Sequence, residues 1–144
     1  MARAIHYPVS RYRPSALVDL GSRAERERLS PAALKVFFNI MARWKVRDED
    51  ARGLLGGVTN GPFYEMKRNP ERTLEADRLT RISYLVGIFK ALGVLHSAAL
   101  ADVWVHRPNT NPLFGGVTPL AYMVAGGLPA LQNVRRLLDA RRAG

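Results

Sequence analysis

The sequence predicts an all-α protein, and three observations lead to this fold class. Apolar residues recur every three or four positions in several segments, which is typical of helices with one buried face. Prolines and paired glycines stand at the ends of these segments, where helices start and stop. No segment alternates strictly between apolar and polar residues, as a half-buried strand does. A chain of 144 residues is long enough for one domain, or for two small subdomains that share a helix.

The composition is strongly basic, with 22 Lys and Arg residues against 12 Asp and Glu residues and a formal net charge of +10. Such a surface attracts polyanions, so nucleic acid is the leading candidate partner; a basic protein without one is the alternative. The absence of cysteine excludes disulfides and a thiolate nucleophile and fits a reducing cytoplasm. The longest apolar run, Ile82 to Leu95, is too short to cross a membrane. We therefore expect a soluble, cytoplasmic protein.

The N-terminal residues 1–29 form a basic arm in this interpretation, irregular apart from a short helix around Ser22 to Arg28. Ser30-Pro31 then resembles a helix start, because serine is a favourable N-cap and proline fits the first helical position. The helix that follows is expected to end near Lys45 and carries an apolar stripe that faces the core. The stripe consists of Leu34, Phe37, Phe38, Met41 and Trp44.

Two short helices follow, and they predict a helix-turn-helix within residues 30–78. Asp48 opens the first helix, Gly56-Gly57 end it, and Thr59 opens the second. Polar side chains on such a second helix reach base edges, and nearby cations hold phosphates. A purely structural helical hairpin is the alternative, and Glu65 makes this face less basic than expected. The predicted DNA-binding residues are Arg47, Thr59, Asn60, Tyr64, Lys67, Arg68 and Arg72.

The longest helix is predicted from Thr73 to Leu95. Its apolar residues cover several faces, so neighbours are expected to bury it on both sides. It either joins the N-terminal helices to a C-terminal unit, residues 79–144, or forms part of a homodimer interface. Ser97 is predicted to cap a short helix over Ala98 to Val105.

The segment from Trp104 to Leu120, here called the corner loop, is predicted to connect two helices through a compact turn. Pro108 ends one helix, Asn109 to Gly116 form an irregular loop, and Thr118-Pro119 start the next helix. Its aromatic and leucine side chains suggest docking, either on a partner or on the chain itself. After Gly126-Gly127, Pro129 begins the last helix. Its arginines, expected in solvent, are Arg135, Arg136, Arg141 and Arg142.

Catalytic patterns are not recognisable in the sequence. The three histidines, His6, His96 and His106, lie apart and lack partner residues, and we interpret His106 as a surface or loop-ordering residue. The stretch from Gly56 to Gly61 follows a helix and lacks the Lys-Ser/Thr ending of a phosphate-binding loop. We predict no enzyme activity, no cofactor and no metal site.

Several motifs in the last sixty or so residues, with the helix before them, resemble a known family. These motifs are Leu79 to Leu92, Ala101 to Asn109, Phe114-Gly115-Gly116 and Thr118-Pro119-Leu120. They resemble the toxin-binding antitoxins of the Xre, MbcA and ParS type. The resemblance implies an Xre-like helix-turn-helix bundle, joined by the long helix to a small helical toxin-binding domain.

The same resemblance implies a function and its partners. The chain would be the antitoxin of a RES-type toxin that consumes NAD, neutralising it by covering the entrance to its active site. It would also repress its own operon by binding operator DNA. Helix-turn-helix proteins usually bind two half-sites as homodimers, so a homodimer is expected. The implied toxin-binding residues are Trp104, Arg107, Pro108, Asn109, Phe114, Gly115, Gly116, Pro119, Leu120, Arg141 and Arg142.

Two alternatives stand beside this prediction. One is a helix-turn-helix transcriptional regulator that has no toxin partner and uses its C-terminal unit only to dimerise. The other is a helical scaffold that binds one protein partner and no nucleic acid.

Overall fold

The computed structural model describes residues 3–5 and 18–143, and the regular structure in these residues is helical, as predicted. Of the predicted N-terminal arm, residues 1, 2 and 6–17, including His6, lie outside the described residues. The helices are α1 (Arg23–Arg43), α2 (Asp48–Leu54), α3 (Asn60–Arg68), α4 (Ala76–Leu95), α5 (Ala98–Val103) and α6 (Pro119–Ala143). Between α5 and α6 the chain makes two 3-10 turns, Trp104–His106 and Pro112–Phe114.

Helix α1 begins earlier than the sequence analysis predicted. The prediction of a helix start at Ser30-Pro31 is wrong, because the N-cap is Ser22 and Pro31 lies inside the helix. The Ser22 side chain accepts a hydrogen bond from the Glu25 backbone amide at 3.4 Å. Ser22 and Glu25 have the spacing of a capping box, which is a stronger start signal than serine followed by proline. The expected short helix around Ser22 is thus the first part of α1.

Ser30 is buried and joins α1 to the segment before α4. Its hydroxyl donates to the Arg26 backbone carbonyl and accepts a hydrogen bond of 2.8 Å from the Leu74 amide. The Leu74 amide is thereby used outside a helix, and α4 begins only at Ala76 with Glu75 as its N-cap. The predicted start at Thr73 is therefore wrong. At 20 residues α4 is also not the longest helix, because α1 has 21.

The two glycine pairs end helices as predicted. Gly56 and Gly57 adopt positive φ angles of 99° and 87° directly after α2, a region that glycine enters without strain. Gly127, with a φ of 66°, breaks α6 into two halves. Thr118 caps the first half, because its hydroxyl accepts a hydrogen bond of 3.2 Å from the Ala121 amide. The second half carries the last arginines.

Helix α4 packs on both α1 and α6, and its buried residues lie on several faces as predicted. Trp44, just after α1, lies against Phe89 of α4 with ring centroids 6.2 Å apart. On α6, the Arg135 guanidinium lies so close to Gly87 that a side-chain carbon there would overlap it. Each of the six helices in the described residues contributes buried apolar residues to one continuous core, from Leu34 in α1 to Leu138 in α6.

Candidate functional site

The corner loop is built on three aromatic rings. Phe114 lies between Trp104 and Tyr122, with centroid distances of 5.9 Å and 5.4 Å and interplanar angles of 78° and 88°. Such edge-to-face aromatic pairs stabilise the fold beyond the contribution from burying their apolar surface. The Tyr122 hydroxyl accepts a hydrogen bond of 3.0 Å from the Asn133 side-chain amide. The rings therefore join the loop to both halves of α6.

Two asparagines and two glycines shape the loop above these rings. The Asn109 side chain accepts a hydrogen bond from the Asn111 amide, and the Asn111 side chain accepts one from the Leu113 amide, both at 2.9 Å. Gly115 and Gly116 follow with positive φ angles of 58° and 90°. These local bonds fix the backbone without a regular element, which is the role expected of asparagine and glycine in turns.

The structure divides the predicted toxin-binding residues into a buried and an exposed group. Trp104, Phe114, Pro119 and Leu120 are buried and Asn109 is half-buried, so these five residues support the loop. The exposed group presents side chains or backbone to a partner. It consists of Arg107, Pro108, Gly115, Gly116, Arg141 and Arg142.

The end of α1 clamps α5 and the corner loop from the N-terminal side. The His106 Nε2 atom hydrogen-bonds the Trp44 backbone carbonyl, and because a carbonyl only accepts, this nitrogen carries the proton. The Arg43 guanidinium makes two hydrogen bonds of 3.2 Å to the Asp102 carboxylate. The interpretation of His106 as a loop-ordering residue is thus confirmed. The clamp itself was not predicted, because its partners are about sixty positions apart in the sequence.

The arginines of the C-terminal segment outnumber its available acids. Residues 92–144 contain two acidic side chains, Asp102 and Asp139, and both are in ion pairs, with Arg43 and Arg135. Arg135, predicted to be solvated, is half-buried. The exposed arginines that form no ion pair with any described residue are Arg107, Arg136, Arg141 and Arg142. This part of the surface therefore favours an anionic partner.

Helices α2 and α3 present the second candidate surface. Phe63 and Met66 of α3 are buried and hold the helix to the core, while the predicted DNA-binding residues are all exposed. Tyr64, Lys67 and Arg68 lie together on α3, with Thr59 and Asn60 at its start. Arg47 immediately precedes α2, and Arg72 lies beyond the end of α3. Gly53 of α2 approaches Val124 of α6, so α2 rests on the first half of α6.

Acidic residues hold most cations of this second surface. Asp48 accepts a hydrogen bond of 3.0 Å from the Lys67 ammonium and lies 3.4 Å from the Tyr64 hydroxyl. Arg68 pairs with Glu65, and Arg47 pairs with Asp50 at 3.5 Å. The Lys67 ammonium also lies 5.5 Å from the centre of the Phe63 ring. These exposed pairs are weak, at roughly 0–1 kcal/mol each, so a phosphate can compete with the carboxylates for the cations.

The described residues offer no group of three acidic or histidine side chains suited to a metal ion. In the same part of the chain, no helix combines the length and the apolar character needed to cross a membrane.

Tyr122 and Asn133 support the corner loop but were missed in the sequence analysis. Their signal was weak, because a tyrosine and an asparagine eleven positions apart have no recognisable spacing across the Gly127 break. Arg136, next to Arg135, was predicted to be exposed but was not assigned to a site.

One comparison with known proteins identifies a family for the C-terminal part of the chain. The family model described as the antitoxin Xre/MbcA/ParS C-terminal toxin-binding domain matches residues 92–144. A relative from Sinorhizobium fredii (strain NBRC 101917 / NGR234), named uncharacterized protein y4oB, is 37% identical over 115 residues, which cover 79% of this chain and 87% of the relative. No solved structure matches the chain significantly. The matched segment contains α5, the corner loop and α6.

Proposed function

Because this chain belongs to the Xre/MbcA/ParS antitoxin family, we propose that it neutralises a RES-type, NAD-consuming toxin and represses its own operon. The family match supports a toxin-binding role for α5, the corner loop and α6. The proposal also includes the RES type of the toxin, the binding of operator DNA, the homodimeric state and a cytoplasmic location. In this role the chain binds its partners and catalyses no reaction.

The observation that carries the proposal is the ordered corner loop with its exposed turn. Loops that bind partners benefit from a fixed shape, because less conformational entropy is lost on binding. Buried Trp104 and Phe114 supply that fixed shape, and Arg107, Pro108 and the Gly115-Gly116 turn remain available for contact. The toxin-binding surface therefore consists of the exposed residues, and the buried ones act by positioning them.

The unpaired arginines indicate the chemistry of the toxin surface. Arginine binds carboxylates and phosphates through two parallel hydrogen bonds, and it keeps its charge at any physiological pH. Arg141 and Arg142 stand in the last turn of α6, where they reach beyond the folded core. We place them in an anionic pocket at the entrance to the toxin active site. Covering that entrance blocks access of NAD.

A neutralisation experiment tests this role. The proposal implies that a neighbouring reading frame encodes the toxin. The product of that frame is expressed together with the wild-type chain or with the double variant Arg141→Ala/Arg142→Ala. We expect the variant to bind the toxin at least about tenfold more weakly, because each charge-assisted hydrogen bond contributes roughly 1.5–3 kcal/mol. Arg107→Glu should also weaken toxin binding. The matched control is Arg47→Ala/Arg72→Ala, which removes the same charge from the α2–α3 surface. Full neutralisation by Arg141→Ala/Arg142→Ala would remove these two residues from the site.

The α2–α3 surface supports operator binding, with α3 as the helix that enters the major groove. Asn60 and Tyr64 would contact base edges, and Lys67, Arg68, Arg47 and Arg72 would contact phosphates. Binding to a fragment of the chain's own promoter should fall steeply with salt, because phosphate contacts release counterions. The double variant Lys67→Ala/Arg68→Ala should bind more weakly and with a shallower salt dependence. Unchanged operator binding by this variant would contradict the DNA assignment.

Asp48 provides an independent test of the same surface. Asp48→Asn removes the carboxylate that holds Lys67 and frees this cation for phosphate. We expect operator affinity to rise about threefold, in line with an exposed ion pair of up to about 1 kcal/mol. Glu71→Gln is the matched control, since Glu71 is exposed and forms no ion pair with a described residue.

A helical scaffold without DNA binding is the second candidate function. The pairing of Arg47, Lys67 and Arg68 with neighbouring acids favours it, because these carboxylates compete with phosphate for the cations. Under this alternative, toxin neutralisation persists, and neither Lys67→Ala/Arg68→Ala nor Asp48→Asn has any effect on promoter occupancy. A regulator without a toxin partner gives the opposite result: it neutralises no toxin, and both substitutions change its promoter occupancy.

A further inference from the structure

Helix α5 turns an apolar face to the solvent. Leu100 is 42% exposed and Val103 is 37% exposed. The two residues are three positions apart and therefore share one side of the helix, and exposed Ala99, four positions before Val103, extends that side. These three residues are here called the α5 face. A surface helix normally has polar side chains on its outer side, and a helix that is apolar on both sides is typically buried between neighbours. The α5 face is therefore a candidate contact surface.

The other sides of α5 already have their partners within the chain. Ala101, on the side opposite to the α5 face, is buried. Asp102 is the only charged residue of α5, and its carboxylate pairs with Arg43 of α1. The Ser97 hydroxyl caps the helix by accepting a hydrogen bond of 3.3 Å from the Leu100 amide. These contacts fix the α5 face in place, so little conformational entropy is lost when a partner binds there.

The position of the α5 face connects it to the toxin. The face lies within residues 92–144, the segment that matches a toxin-binding domain. One 3-10 turn, Trp104–His106, joins Val103 to exposed Arg107 of the corner loop. The exposed toxin-contact residues of the proposed function are arginines, glycines and a proline, which contribute charge and backbone but little apolar surface. Stable protein interfaces combine an apolar centre with a polar rim. The α5 face supplies the apolar part that those residues lack.

The charges beside the α5 face favour the toxin over a second copy of this chain. A two-fold dimer at this face would use the same patch on both copies. Such a dimer would offer Arg107 no free side-chain carboxylate from residues 92–144, because Asp102 and Asp139 are already paired. A toxin surface with an apolar patch beside a carboxylate satisfies both the α5 face and Arg107.

We propose that the α5 face is the apolar part of the toxin-binding surface and packs on an apolar patch of the toxin that has a carboxylate beside it. The proposal rests on the proposed function and adds a second kind of contact to it. The affinity that comes from the α5 face persists at high salt, because apolar contact does not depend on charges that salt screens. Burial of the face also makes the heat-capacity change of binding negative.

Titration calorimetry with the purified product of the neighbouring reading frame, at low salt and at about 1 M salt, tests the proposal. Leu100→Ala/Val103→Ala removes most of the apolar surface of the face and keeps helix-favouring residues. We expect binding to weaken at least about tenfold at both salt concentrations, with a less negative heat-capacity change. Arg141→Ala/Arg142→Ala should instead lose affinity mainly at low salt, because about 1 M salt screens charges beyond about 3 Å.

A second variant places a charge on the face without weakening the helix. Leu100→Glu puts a carboxylate three positions after the N-cap Ser97, which is the spacing of a capping box and favours α5. Toxin binding should nevertheless fall at least about 100-fold, because the complex would bury an unpaired charge. The matched control is Val36→Glu on α1, at a position that is 37% exposed and outside the matched segment. This control should bind the toxin as the wild-type chain does. Circular dichroism melting curves establish the folding of each variant.

Three results would overturn the proposal, and they are distinguishable. Wild-type affinity in both Leu100→Ala/Val103→Ala and Leu100→Glu would remove the α5 face from the interface and leave the proposed function intact. A fall in mass from dimer to monomer on Leu100→Glu, measured by sedimentation without toxin, would assign the face to a second copy. A wild-type chain that does not bind the product of the neighbouring frame would contradict the proposed function, and the assignment of the α5 face with it.

Discussion

At the scale of single residues, the glycines of the corner loop have a conformational role. Gly115 lies in the left-handed region, with φ 58° and ψ 27°, and a side-chain carbon there would meet no atom within 4 Å. A substitution at this position therefore tests backbone strain without steric overlap. Gly93 offers the opposite case, because it lies inside α4 and also has free space around it.

We expect Gly115→Ala to lower the free energy of unfolding by about 1 kcal/mol, because an alanine in the left-handed region is strained. For a chain of this length the melting temperature should fall by about 3 °C. Gly93→Ala is the matched control and should raise the free energy of unfolding by about 0.5–1 kcal/mol, since alanine favours a helix. Urea denaturation of both variants provides the measurement. Equal changes in the free energy of unfolding for the two substitutions would contradict the left-handed conformation of Gly115.

At the scale of the helices, α1 continues through a proline. Pro31 has no amide hydrogen, so the Glu27 carbonyl, four residues earlier, lacks its usual helical partner. The helix nevertheless begins eight positions before Pro31, at Arg23, and its end holds α5 and the corner loop. Buried side chains such as Leu34 and Phe37 hold it against α4, so tertiary packing overrides the local preference.

Replacing Pro31 tests this account of α1. Pro31→Ala should raise the free energy of unfolding by about 2 kcal/mol, because it restores a backbone donor inside a helix. If the helix began at Ser30 instead, the proline would stand at the first helical position and the change would be within about 0.5 kcal/mol. Pro129→Ala provides the comparison, since Pro129 lies in the first turn after the Gly127 break. Thermal melting followed by circular dichroism separates the two cases.

The sequence predicted most helices because their ends are encoded locally. Gly56-Gly57 and Gly127 mark breaks through their own conformational freedom, and Ser97 caps α5 by accepting a hydrogen bond from the Leu100 amide. The starts of α1 and α4 were misplaced for a different reason. Ser30 looked like a cap, but its hydroxyl bonds Leu74, 44 positions away, and no local pattern reveals such a contact.

For the candidate site, the sequence identified which segment forms the corner loop but not which of its residues face outward. A tryptophan or phenylalanine in a loop can either contact a partner or support the loop. Only the structure separates the two roles, because Phe114 packs between Trp104 and Tyr122. The DNA-binding prediction correctly placed Lys67 and Arg68 on the surface. It did not anticipate that Asp48, nineteen positions before Lys67, would hold that lysine.

At the scale of the whole molecule, the two candidate surfaces share one core. Helix α6 packs on α4. The end of α1 contacts α5 through the Arg43–Asp102 pair and the corner loop through the bond between Trp44 and His106. The family match begins at residue 92, within the last turn of α4, so most of α4 precedes the matched segment. Residues 92–144 therefore lack the apolar surface against which Leu131, Val134 and Leu138 are buried.

We expect a fragment of residues 92–144 to remain unfolded on its own, because it lacks most of α4, on which α6 packs, and a chain of about fifty residues buries only a small share of its surface. Its circular dichroism spectrum should lack the helical signal, whereas residues 18–144 should show it. A fragment of residues 76–144, which restores α4, should gain part of the helical content. A folded 92–144 fragment with cooperative melting would contradict the dependence on α4.

The shared core has a consequence for how such a protein is removed from the cell. A small chain with one core unfolds as a unit, so a protease that captures the opened form meets both surfaces in the same event. No half of the molecule then survives to act alone. In the proposed roles, degradation releases the toxin and lifts repression together, and the stability of the shared core governs both.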